Sequence, residues 1–99
     1  MTRSRIERIR EKIRRGEYDM SAHAMEEMAE DDLDIEDVQR AILNGRIVNI
    51  RKDDPRGTKY RVEGAAADNI TPVGVVGRFT ATDRYLIITV YEINETKEK

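Results

Sequence analysis

The sequence predicts an α+β fold: two to three N-terminal helices packed on one face of a four-stranded antiparallel sheet. Three observations carry this reading. Apolar residues recur at helical spacing as far as residue 44 and at alternate positions after it. The helical segments all precede the strands, which is the order of α+β rather than α/β proteins. The segments that join the strands are short, and this favours antiparallel neighbours.

Each helix has its own signals. Residues 3–15 read as the first, with Ile6, Ile9 and Ile13 as a narrow apolar stripe and Gly16 as its end. Residues 21–30 read as the second. Ser21 is its N-cap, and Met20 and Met25 have the spacing of a hydrophobic staple. Met25, Met28 and Ala29 form its expected core stripe, with Ala22 beside them. Glu30, Asp31 and Asp32 make a poor last turn, because carboxylates there oppose the helix dipole. Residues 35–44 read as the third. Asp34 is its N-cap, Asp37 stands at N3, and Leu33 can staple to Val38. Ile35, Val38, Ala41 and Ile42 face the core. Gly45 is expected to close this helix in the left-handed conformation.

The sheet is expected within residues 46–93, as strands 46–52, 58–64, 72–80 and 84–93. Asp54-Pro55-Arg56-Gly57 has the chemistry of a type I turn. In the second strand Tyr60 and Val62 alternate with Lys59, Arg61 and Glu63, one set for each face. The last strand is almost entirely apolar or β-branched, which suits a central position. Residues 94–99 are polar and read as a flexible tail. The whole chain, 1–99, suits a single domain.

Composition narrows the function classes. The chain is 38% hydrophobic and 38% charged, so its core must be thin. It has no cysteine, which removes disulfides and thiolate zinc sites. Its longest apolar run, "YLIITVY", is far too short to span a bilayer, and the basic N-terminus lacks the apolar stretch of a signal peptide. A cytoplasmic protein with no membrane partner is expected. The formal net charge of −2 hides segregation: residues 1–15 hold seven Lys/Arg against two Glu, and residues 16–37 hold ten Asp/Glu and no Lys/Arg. Residues 46–61 are basic again, with six Lys/Arg against two Asp. The simplest expectation is that the basic first helix and the acidic segment neutralise each other. The alternative is a basic face that attracts an anion such as nucleic acid.

The chemistry starts from His23, the one histidine. At the second position of its helix it points away from the expected methionine stripe, beside Glu26, Glu27 and Glu30. The helix N-terminus disfavours its charged form and the carboxylates favour it, a balance that suits acid–base work. No second histidine or cysteine accompanies it, so no metal and no other cofactor is expected. The glycines form no phosphate loop, and no serine sits in a nucleophile elbow. The strands supply a second constellation: Lys59, Arg61 and Arg78, with Tyr60, Tyr85 and Tyr91. Cations can hold a phosphodiester and its developing charge, and aromatics can stack bases. Against this stands the ordinary use of strand cations as solvent-side residues, and of Tyr60 as core.

"SAHAMEEM", "IEDVQRAILNGRIV", "YRVEG", "PVGVV" and "IITVY" resemble, in order and spacing, the domain-of-unknown-function 4258 family over about Tyr18 to Tyr91. The resemblance implies a small protein distantly similar to RelE/ParE-like and BrnT-like toxins, whose best-known activity is mRNA cleavage. It implies a cognate antitoxin as partner. His23 matches the family's histidine after Ser21, and Tyr91 matches its closing tyrosine. Gly74 stands where relatives commonly carry a histidine, so half of a paired-histidine couple is missing here.

The expected function is therefore a toxin-like, metal-independent endoribonuclease, a hydrolase acting by attack of the ribose 2′-OH. His23, Arg61, Arg78 and Tyr91 would be catalytic, and Lys59, Tyr60 and Tyr85 substrate-binding. The alternative is a non-catalytic protein-interaction module, with a homodimer among its forms. RNA binding without cleavage is a third reading, and the acidic pI of about 5.5 counts against RNA as a partner.

Overall fold

The computed structural model describes residues 4–93; Arg3 and the expected tail over 94–99 lie outside the described residues. The first helix, α1 (Arg5–Arg15), starts where the Ser4 hydroxyl accepts from the Glu7 N–H. It stops at Gly16, whose φ of 71° is the left-handed conformation glycine tolerates. Ile9 and Ile13 are buried, and Ile6 packs beside them. A short strand, β1 (Tyr18–Met20), follows; it was not expected. α2 (Ala22–Glu30) is capped by Ser21, whose hydroxyl accepts from Ala24 N–H at 3.0 Å. α3 (Ile35–Asn44) starts with a full capping box between Asp34 and Asp37. The sheet continues with β2 (Arg46–Arg51), β3 (Lys59–Ala65), β4 (Pro72–Phe79) and β5 (Tyr85–Glu92).

The α+β class holds, but the sheet differs from the expected four antiparallel strands. It has five strands in the order β1-β5-β4-β3-β2, and β1 runs parallel to β5. Three residues give no readable alternation, so β1 has no periodic signal. It is held instead by partners distant in sequence. Arg84 forks onto the Asp19 carboxylate at 2.8 and 3.3 Å and donates to the Tyr18 carbonyl, while Tyr18 Oη accepts from Gln39 of α3.

The core lies between the helices and one face of the sheet. Val38, Ala41 and Ile42 of α3 form one core cluster with Tyr60 and Val62 of β3, Val73 and Val75 of β4, and Tyr85, Ile87 and Val90 of β5. Ile35 is largely exposed rather than core-facing. Gly45 is extended, not left-handed. Its need for glycine is steric: a Cβ there would fall 2.5 Å from the Glu63 carbonyl oxygen and closer still to that of Ala41.

Two further expectations are corrected. The core stripe of α2 is not Met25/Met28/Ala29: Ala24 is buried, Met28 packs on the core, and Met25 is 52% exposed. The helix is turned by about one residue, or 100°. The basic first helix and the acidic segment neutralise each other only in part, through Lys12 and Glu17. Among the described residues, the ion pairs of α1 run to its own Glu7 and Glu11, and to Glu17 and Asp83.

Candidate functional site

The helices leave the opposite face of the sheet open. Register places side chains there in rows. Arg51, Lys59, Arg78 and Leu86 form one row across β2, β3, β4 and β5, and Asn49, Arg61, Val76 and Thr89 form the next. Arg46, Glu63, Gly74 and Tyr91 form a third. Lys59 and Arg61 therefore share a face, as strand parity suggested, and Arg78 joins them. Asn49, Arg51, Lys59, Arg61 and Val76 line a cavity of about 120 Å³.

Three cations of this face are held from the connection between β2 and β3. Arg51 reaches Asp53 at 3.4 Å, Lys59 reaches Asp54 at 3.4 Å, and Arg78 donates to the Arg56 carbonyl at 3.3 Å. Asp54 also takes the Arg56 backbone N–H and two guanidinium donors. These bonds hold its carboxyl well below the usual carboxylate range, the Arg56 side chain contributing most. Arg61 is less satisfied. Its Nε is buried without a hydrogen-bond partner, and Glu63 stays 3.8 Å away. An enclosed donor beside two further cations is an environment that an oxyanion would complete.

Asn49 and Arg51 were missed from the sequence. β2 carries an irregularity between Ile47 and Asn49, so Ile47 and Ile50 pair with the core residues Val62 and Tyr60 although three apart. That spacing of apolar residues was the available signal. A bulge shifts parity and turns Arg46, Asn49 and Arg51 together onto the open face.

Tyr60 and Tyr85 are not on this face. Both are buried, each edge-on to Phe79 with ring centroids 6.1 and 5.2 Å apart. Burial pushes the Tyr85 hydroxyl's pKa up, away from any proton transfer near neutrality. Neither ring presents a surface on which a base could stack, so the expected substrate-binding role of both is withdrawn.

Tyr91 does lie on the open face, across Gly74. A Cβ added at Gly74 would fall 2.5 Å from Tyr91 Oη and 2.7 Å from Cε2. The tyrosine thus fills the space above this position.

His23 stands elsewhere, on the exposed side of α2. Its Nε2 lies 3.2 Å from Glu27 Oε2, and its side chain is 64% exposed. The other oxygen of Glu27 accepts from Val90 N–H at 3.0 Å, and Asp31 accepts from Glu92 N–H at 2.8 Å. Ser21 continues the row, its N–H donating to the Ile87 carbonyl and its hydroxyl to that of Ile88. Where β1 ends, α2 takes over the edge of β5. The acidic last turn that looked unfavourable for a helix is a set of acceptors for a strand. Among the described residues no hydrogen bond or ion pair links His23 to Arg61, Arg78 or Tyr91.

The family model described as "Domain of unknown function (DUF4258)" matches residues 20–92. The chain belongs to this family. The match runs from the end of β1 to the end of β5, so it takes in α2, the open sheet face and Tyr91. α1 precedes the family segment. No curated protein and no solved structure matches the chain. No helix of the described residues is long and apolar enough to cross a membrane.

Proposed function

We propose that this family member engages RNA on the helix-free face of its sheet and cleaves it without a metal, as toxin-like endoribonucleases do. The observation that carries the reading is the cavity lined by Asn49, Arg51, Lys59 and Arg61, with the Arg61 Nε enclosed and without a hydrogen-bond partner. Its three cations suit a phosphate group. Three cations oppose the charge that develops on the phosphoryl oxygens as the ribose 2′-oxygen attacks phosphorus and the 5′-oxygen leaves. The product is a 2′,3′-cyclic phosphate or, after hydrolysis, a 3′-phosphate.

The proton transfers need two further groups. Tyr91 is on the same face, two strands or about 10 Å from β3. His23 lies on α2, which packs along β5. An RNA strand crossing from β3 towards β5 would meet Tyr91. The test is cleavage of a single-stranded RNA by the pure protein in EDTA. Arg61→Ala should abolish cleavage, and Tyr91→Phe and His23→Ala should each slow it roughly 100-fold. Full activity in all three variants would sink this site.

A second reading has an observation of its own. His23 pairs with the carboxylate that holds the β5 edge, which is an architectural use of the residue. On that reading the protein binds a partner and cleaves nothing. Pure protein that binds RNA or protein but leaves RNA intact would favour it.

A further inference from the structure

We propose that β2 receives an extended, acidic segment of a partner protein as a sixth strand of the sheet. β2 is the last strand in the order, and β3 is its one substantial neighbour among the described elements. α3 packs on β3 and β4, α2 on β5, and α1 on α3 and β5, so no helix shields β2 as they shield the rest. Val48 and Ile50 are each 38% exposed. The opposite edge is closed by contrast. β1 offers only three residues, and beyond it the carboxylates of α2 already accept from the β5 N–H groups.

An open row of strand N–H and C=O groups binds another strand by extending the ladder. Two candidates compete, a second copy of β2 and a strand of different composition. Charge decides between them. β2 and the residue after it carry Arg46, Arg51 and Lys52 with no acid, so two copies side by side would set like charges against each other. The irregularity at Val48 also disturbs self-pairing. The same cations attract a strand whose alternate residues are Asp or Glu. Its acidic side chains would reach Arg46 and Arg51 on the open face, and its apolar ones would cover Ile50 on the other.

The test uses two capped ten-residue peptides, one alternating Glu and Val and one alternating Lys and Val, added to the full chain. Binding is measured by titration, and its position by amide hydrogen exchange. The Glu-Val peptide should bind, weaken as salt rises, and slow exchange at residues 48–52; the Lys-Val peptide should not bind. The double variant Arg46→Glu, Arg51→Glu should weaken the Glu-Val peptide roughly tenfold or more and admit the Lys-Val peptide. Circular dichroism shows whether the variant is folded, and gain of the second peptide is itself a positive signal. Equal binding of both peptides, no binding at low salt, or protection confined to other strands would overturn the proposal. So would a concentration-dependent dimer whose protected amides are those of β2, since the occupant would then be a second copy.

Discussion

Position 74 shows how one residue changes what a site can be. There the Tyr91 ring lies over a bare Cα. Gly74→Ala should destabilise the protein by about 1–3 kcal/mol, because the ring or the strand must shift. With Tyr91→Ala already in place the same change should cost nothing, since alanine is better than glycine in a strand. Urea unfolding of the two singles and the double measures this coupling, and additive effects would show that the two positions do not share the space. His23 and Glu27 make a second contrast. His23 is exposed, so His23→Ala should change stability by less than about 1 kcal/mol. Glu27→Ala leaves the Val90 N–H without its partner and should cost about 1–3 kcal/mol, with Glu27→Gln closer to wild type because an acceptor oxygen remains. A Glu27→Ala protein as stable as the parent would remove the edge-holding role given to this carboxylate.

At the scale of elements, the connection between β2 and β3 ties stability to pH. Asp54 accepts from Arg56 and Lys59, and its folded pKa is depressed. Its contribution is therefore complete above the unfolded value of about 4 and is lost as pH falls towards the folded one. Thermal melts of wild type and Asp54→Asn should differ most near neutrality and converge as the solution is acidified below pH 4 (about the unfolded carboxylate value). A gap that stays constant through the acid range would contradict this. The elements also show what the sequence made legible. The capping box of Asp34 and Asp37, the Ser21 cap and the Gly16 stop are local chemistry, and all three were readable. β1 and the rotation of α2 were not. Both depend on partners far along the chain: Arg84 for β1, and the Val90 and Glu92 N–H groups for α2. A glutamate turned inward towards a strand edge looks, in sequence, like a solvent-facing glutamate.

For the whole molecule, the helices put the apolar core on one side of the sheet and leave a cationic side free. Strand parity alone grouped Lys59 and Arg61, and the β3–β4 register adds Arg78. The bulge in β2 hid Arg51 and Asn49, and burial removed Tyr60 and Tyr85 from the site. The central claim is that this free face holds RNA through its phosphates, and equilibrium binding of a fluorescent single-stranded RNA over a range of salt concentrations tests it most directly. Arg51→Ala, Lys59→Ala and Arg61→Ala should each weaken binding and lower the salt slope by about one counterion, while Arg40→Ala on α3 should leave both unchanged. Undiminished binding in the three variants, or no binding by wild type at low salt, would contradict the account.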